Sequence, residues 1–466
     1  MIIYDMKKFF LPIISIAFLA SCNLYKNYER PEVIDETVSG IYRDTTAMGG
    51  VLAEADTTNF GNMPWREVFT DAKLQVLIEK SLQNFDMQKA DMNIEKAKSG
   101  LSVAKLAYIP SLVFAPSGEL TSFDHAKTVK TYTLPISASW EIGSWGYLHN
   151  THKWAKQSLL LAKAAKQATR TAMISAVANI YFTLQMLDEQ LLTTTATIEI
   201  WKKNVETMEA MHEVGSATNA AVAQAKANYH NLLATIPTLQ HSIRKAENAL
   251  CVLLNEAPHA IERSRFDVSV MPQTMSAGVP LQLLSNRPDV KIAELNLSMA
   301  FYDVNAARSQ FYPSIKISGV AGWTNSYGGI VNPGELLLNA AASLAQPIFM
   351  NGRLKANLKV EKLDYEAASL DFQKAILTAG EEVSNALSAY QTAMQQAHQR
   401  QQQVELLKVA AEETQLLFVH GNGTSYLETL TAQQSLLSAQ MNYITDKYNQ
   451  LVAGIDLYKA LGGGRE

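Results

Sequence analysis

Residues 131–142 read Thr131-Tyr132-Thr133-Leu134-Pro135-Ile136-Ser137-Ala138-Ser139-Trp140-Glu141-Ile142, and this alternation decides the fold. Tyr132, Leu134, Ile136, Ala138, Trp140 and Ile142 fall on one side, with Thr131, Thr133, Pro135, Ser137, Ser139 and Glu141 on the other. A period of two with one apolar and one polar face is a two-faced strand. Its partner is expected from Ser111 to Leu120, with Leu112, Phe114 and Leu120 on one face. The polar loop between them carries Asp124, His125 and Lys127, so the two strands form a hairpin.

The hairpin is written twice. Asp86, Ala90, Ala97, Ala104 and Pro110 recur 203 positions later as Asp289, Ala293, Ala300, Ala307 and Pro313. Gly146 and Gly215 recur 206 positions later as Gly352 and Gly421. A period this long is not a solenoid unit but a tandem duplication of one large structural half. The halves are expected at 71–270 and 271–460, the second with strands at about 313–323 and 337–346, followed by a flexible tail at 461–466.

Between Gly146 and His212 there is no proline, and from Met173 an apolar seam runs through Val177, Ile180, Leu184, Leu187, Leu191, Thr194, Ile198, Trp201, Val205 and Met208. Spacings that alternate four and three specify a left-handed coiled coil. The last helix repeats the seam from Leu427 to Tyr458, broken at Gln434. At 1.5 Å per residue, Gly146 to His212 reaches roughly 100 Å if helical throughout, and Gly352 to His420 gives the same reach. Each long helix ends in a glycine turn followed by a shorter helix, which Pro237 is expected to interrupt in the first half.

The chain has 466 residues and a formal net charge of −4, and past residue 22 it carries no Lys/Arg-rich run, so it lacks the electrostatic footprint of nucleic-acid binding. No apolar run after residue 22 is long enough for a helical membrane span, which leaves a β-barrel open. Lys7, Lys8, the apolar run Phe9–Leu19 and Leu19-Ala20-Ser21-Cys22 resemble a bacterial lipoprotein signal, making 1–21 a signal peptide and Cys22 the lipidated residue. Asn23 in place of aspartate favours the outer membrane. Residues 22–70 read as an extended segment without a core of its own, and Cys251 as a small buried apolar residue, the other reading being a reactive thiol.

Strands of about 10 residues with one apolar face suit an outer membrane, but four of them cannot close. Open strand edges are not tolerated in lipid, so several chains must pool their hairpins into one barrel. No HExxH, CxxC, Walker loop or nucleophile elbow occurs, and His149 and His152 lack further ligands. An enzyme, a cofactor and a metal centre are therefore not expected.

Leu283-Leu284-Ser285-Asn286-Arg287-Pro288-Asp289-Val290-Lys291-Ile292-Ala293-Glu294 resembles the "LLxxRPDI..AE" segment of TolC-like outer-membrane efflux proteins. Trp140-Glu141-Ile142 with Trp145-Gly146, Gln346-Pro347-Ile348-Phe349 with Gly352-Arg353, Gln224-Ala225 and Tyr426 to Gln433 match further positions of that family. With Cys22, the chain is similar to the lipidated branch that includes OprM-, CusC- and NodT-like proteins. The resemblance implies a homotrimer with a 12-stranded β-barrel and a 12-helix tunnel. It also implies docking at the helix tips to a periplasmic adaptor (membrane fusion protein) that leads to an inner-membrane pump of the RND type. The tips fall at Gly215, Gly421, Gly423 and Thr424, although the turn geometry is itself a reason for glycine. Gly421 and Gly423 compete for one role because the second turn has one residue more than the usual spacing of that family. Glu428 matches the first acidic position of the family's periplasmic gate, while the second falls on Thr431; the other reading of Glu428 is a solvated helix residue. Arg287-Pro288-Asp289 reads as a helix start signal. The function expected is a passive exit duct, and the alternative is a lipid-anchored coiled-coil scaffold without a pore.

Overall fold

A computed structural model describes residues 25–31, 60–122, 124, 128–142, 146–271, 286–325, 335–420, 423 and 425–465. In chain order the helices are α1 Trp65–Val68, α2 Ala72–Ser81, α3 Phe85–Leu106, α4 Tyr147–Glu213, α5 Asn219–Leu253, α6 Pro288–Ser309, α7 Arg353–Val419 and α8 Tyr426–Ala460. The strands are β1 Ser111–Phe114, β2 Ser117–Thr121, β3 Val129–Ile142, β4 Ser314–Thr324 and β5 Glu335–Ala345. The duplication is metrical: α3 and α6 both have 22 residues, α4 and α7 both 67, and α5 and α8 both 35. The chain divides into two compact units, one of Met1–Ile34, Met92–Lys163 and Ile292–Lys374, the other of Asp35–Asp91, Ala164–Lys291 and Ala375–Glu466.

The first unit holds one antiparallel sheet in the order β1-β3-β4-β5, with β2 also on β3. The single strand expected over 111–120 is two pieces, because Pro116 has no N–H to give a ladder. Register nonetheless runs through the break, from Phe114 opposite Ile136 to Ser117 opposite Thr133, and Ala115 N–H donates to the Pro135 carbonyl at 3.3 Å. In the second repeat each strand is continuous, 11 residues from Ser314 to Thr324 and 11 from Glu335 to Ala345. All nine residues of β1 and β2 are exposed, apolar and polar alike, so their half of the sheet has no core beneath it in a single chain. Residues 25–31 pack on this unit, with Tyr28 edge-on to Phe301 at 5.9 Å and Arg30 bonded to both carboxylate oxygens of Glu294 at 2.8 Å.

The second unit has a dense core. Along α4 the coiled-coil seam is buried at Met173, Val177, Leu184, Leu187, Thr194, Ile198, Trp201 and Met208 and half-buried between them. Residues 60–70, expected as extended and coreless, contribute to this core: Phe60, Trp65, Val68 and Phe69 are buried, and Phe60 and Phe69 meet Tyr458 edge-on at 5.4 and 5.9 Å. Asp71 caps α2 through Lys73 N–H at 2.9 Å and also accepts the Tyr181 hydroxyl at 2.7 Å and that of Ser264 at 3.1 Å. One short carboxylate thus pins three segments.

Pro237 does not interrupt α5, which runs unbroken from Asn219 to Leu253. Burial of its apolar face at Leu232, Ile243 and Leu250 outweighs one lost backbone bond. Residues 461–465 are no flexible tail. Leu461 is fully buried, Gly463 carbonyl accepts from the Thr171 hydroxyl at 2.7 Å, and Gly464 N–H donates to the Tyr458 hydroxyl at 2.8 Å. Gly462, at φ +77°, lies where an added Cβ would strike the Asn286 carbonyl, so the glycine run lets the chain end thread the core.

Arg287 is more than a start signal. Buried ahead of α6, it meets both Asp289 oxygens at 3.0 and 2.6 Å, Glu382 at 2.5 Å and the Ala460 carbonyl at 2.9 Å. Burial raises the Asp289 carboxyl, and the Arg287 fork more than offsets it, holding Asp289 below its ordinary range.

Candidate functional site: the helix tips and the open sheet

At the first tip α4 ends in a Schellman turn, with Ser216 N–H bonded to Met211 carbonyl at 2.8 Å and Gly215 N–H to His212 carbonyl at 2.9 Å. Gly215 takes φ +77° and is exposed. Thr218 then caps α5 by accepting Ala221 N–H at 3.2 Å, while His212 Nδ1 lies 2.9 Å from the Ala217 carbonyl. Beneath the turn Met208, Val222 and Ala225 form a buried cluster against which Phe418 and Tyr426 of the second tip pack. The turn is therefore held from below, and its exposed crest, Val214 to Ser216, is left clear.

At the second tip Gly423 takes φ +83°, and Gly421 and Thr424 lie outside the described residues. Ser425 and Glu428 make a reciprocal capping box: Glu428 N–H donates to the Ser425 hydroxyl at 3.3 Å, and Ser425 N–H donates to the Glu428 carboxylate at 3.1 Å. Glu428 is exposed, so one carboxylate oxygen serves the helix end while the group still faces solvent. Thr431 is exposed too, and its hydroxyl donates to the Leu427 carbonyl at 2.7 Å. Glu428 and Thr431 lie one turn apart on α8.

A polar relay below the tips escaped the periodicity. Gln433 is buried, accepts from Asn204 of α4 at 2.6 Å and donates to Gln415 of α7 at 3.0 Å. Deeper along the hairpin Arg400 of α7 bonds Asp446 of α8 at 3.1 Å. Heptad reading marks Gln434 as the break in the α8 seam, yet Gln434 is exposed and its neighbour Gln433 is the buried amide. No pattern of a single helix distinguishes the two, because the partners come from other helices.

The third element is the sheet. Leu112, Phe114, Leu120, Leu134, Ile136, Trp140, Leu336, Leu338 and Leu344 are all exposed, an apolar surface that water does not tolerate in one piece. No described helix is long and apolar enough to cross a membrane. Among the described residues there is no group of three or more His, Cys, Asp or Glu side chains able to hold a metal ion. Cys22 lies outside the described residues.

Residues 77–256 and 279–463 each match the family described as "Outer membrane efflux protein", one match per structural repeat. The chain belongs to the outer membrane efflux protein family. As such it is the outer-membrane channel of an efflux system and not an enzyme. This outer membrane efflux protein is 27% identical over 460 residues to the cation efflux system protein CusC of Escherichia coli strain K12, covering 97% of this chain and 99% of that one. It is also 27% identical to the probable outer membrane lipoprotein SilC of Salmonella typhimurium, covering 97% and 98%. Its fold superposes on a crystal structure of CusC with a TM-score of 0.83 at 25% identity, covering 95% of this chain and all of that one.

Proposed function

We propose that three copies of this chain pool their hairpins into one 12-stranded barrel across the outer membrane and their long helices into a periplasmic tunnel. The sheet carries this reading. It is open at both ends of its order, exposed in its apolar residues, and half without a core, a state that lipid on one face and partner strands at the edges would resolve. Energy comes from an inner-membrane pump of the RND type, and a periplasmic adaptor seats on the tips at Gly215, Gly421, Gly423 and Thr424. Cys22 carries the lipid that anchors the N-terminus, in keeping with the lipoprotein name of its relative SilC. Glu428, repeated around the axis with Thr431 one turn further in, forms the periplasmic gate and favours cations.

The test is conductance. Purified, detergent-extracted protein is expected to run as a heat-modifiable trimer and to open cation-preferring channels in planar bilayers. A water-soluble, non-conducting oligomer after removal of the lipid anchor would establish the scaffold instead.

A further inference from the structure

The two repeats share their helices but not their charges. In the first, the chain beyond α5 lays Arg263 between α4 and α5. Its guanidinium bonds both oxygens of Asp188 on α4, with Nη2 to Oδ1 at 2.8 Å, and its Nη1 bonds Glu247 on α5 at 2.7 Å. Only 14% of the Arg263 side chain is exposed, so it works as a plug held by two carboxylates. Equal helix lengths fix the offset between repeats, 206 from α4 to α7 (Tyr147 to Arg353) and 207 from α5 to α8 (Asn219 to Tyr426). By these offsets Asp188 becomes Met394 and Glu247 becomes Gly454. The second repeat keeps neither carboxylate.

A cavity of about 460 Å³ lies at the equivalent place, lined by α7, α8 and residues 268–271. Its polar walls are new to this repeat, since Leu192 becomes His398 and Gln240 becomes Lys447. The Lys447 ammonium lies 4.5 Å from the centre of the Tyr443 ring. No Asp or Glu is among the described residues that line the cavity. Asp267 stands near enough for the Lys447 charge to help hold its carboxyl below the ordinary range, after the larger effect of Ser269. Its oxygens are already engaged there, accepting the Ser269 N–H at 2.9 Å and the Ser269 hydroxyl at 2.6 Å. Met271, Met394, Tyr390 and Leu451 supply the apolar side, and thioethers adapt to ligand bodies of varied outline.

Charge decides what such a cavity accepts. The first groove is filled by the chain's own cation between two anions, whereas the second offers a cation and lacks the anions. Its volume falls within the range of small-molecule sites, and it combines apolar walls with a few polar groups. We infer that it binds a small organic anion with an apolar ring body, the charge meeting Lys447 and the body lying against Met271, Met394 and Tyr390. Gln401 and Gln450, also on the lining, offer amide N–H groups to the same charge. Bound there, the ligand ties α7, α8 and residues 268–271 together, as Arg263 ties α4 and α5 to its own segment. Neither the sheet nor the tips take part, so the site stands apart from the barrel and the gate.

The probe is naphthoate, with naphthylmethylammonium as a cation of similar shape, each added to the full chain in non-ionic detergent and followed by calorimetry and thermal melting. Naphthoate is expected to bind with a Kd below about 1 mM and to raise the melting temperature, and the cation to do neither. Lys447→Gln, which installs the residue of the first repeat, should weaken naphthoate about tenfold, while Lys447→Arg should keep it. Met394→Asp with Lys447→Gln brings back the first repeat's charge and should turn the preference to the cation. Met394 is 42% exposed and Lys447 half-buried, so these variants are expected to melt like the parent without ligand. Equal binding of the two probes by the parent, or none, overturns the proposal whether or not any variant folds. Naphthoate binding unchanged in Lys447→Gln, or a double variant that still prefers the anion, places the probe elsewhere and overturns it as well.

Discussion

The indole N–H of Trp154, on α4, donates to the carboxylate of Asp303, on α6, at 3.0 Å. It ties the first repeat to the second just beyond the sheet, and it faces two further carboxylates, Glu361 and Asp364 of α7. Burial first, then Glu361, push the Asp303 carboxyl up to about 6, with Asp364 adding to the rise and the Trp154 bond opposing it.

A folded-state value above the unfolded one means that the folded chain holds the Asp303 proton more tightly. The stabilisation is complete below the unfolded value near 3.8 and is lost as pH rises through about 6. Asp303→Asn should therefore match the parent in thermal stability near pH 4 and exceed it at pH 8, by about 1 kcal/mol once solvent screening at this half-exposed site is allowed for. Trp154 fluorescence should titrate near pH 6 in the parent and stay flat in Asp303→Asn. Equal melting at pH 8 would remove Asp303 from this role.

Glu428 serves a helix cap and, in the proposed gate, a charge, and the two are separable. Glu428→Gln keeps an acceptor for Ser425 N–H, so stability should hold while cation preference in planar bilayers falls. Glu428→Ala should lose both, with a stability cost of about 1 kcal/mol. Unchanged ion selectivity in Glu428→Gln would leave only the cap.

Gly146 takes φ +97°, and an added Cβ would strike the Tyr25 ring. Gly146→Ala should destabilise the chain by about 1–3 kcal/mol and loosen residues 25–31 from the first unit, read as faster proteolysis there. Adding Tyr25→Ala should recover only the part owed to the clash. Full recovery would mean that the backbone conformation costs nothing.

Arg287 is buried with two carboxylates and a helix-end carbonyl as partners. Arg287→Ala should cost about 3 kcal/mol in denaturant unfolding, because charged partners are left behind. Arg287→Lys should recover part of it, keeping the charge without the planar fork. A loss below about 0.5 kcal/mol in Arg287→Ala would show the network to be dispensable.

Much of this architecture is legible before any coordinates. Alternation from Thr131 to Ile142, the heptads from Met173 to Met208, and the offset that carries Gly146 to Gly352 each repeat over enough residues for local patterns to add up. The candidate site is less legible. Gly215 is readable because a left-handed turn selects glycine, but the capping bond of Glu428 needs Ser425 placed opposite it, and the burial of Gln433 needs Asn204 and Gln415, 229 and 18 residues away. Pro237 misleads for the same reason, since a rule about one residue is overruled by the packing of a whole helix face.

By itself the sequence determined that this chain is a duplicated unit of hairpin and long coiled-coil helices, since period and offset are properties of residue order. Only the tertiary structure decided that residues 60–70 and 461–465 belong to the core, that Arg287 joins α6, α7 and the end of α8, and which sheet edges and helix faces stay open. Those outcomes depend on groups brought together across hundreds of residues, where burial and hydrogen-bond partners, not local propensity, set the free energy.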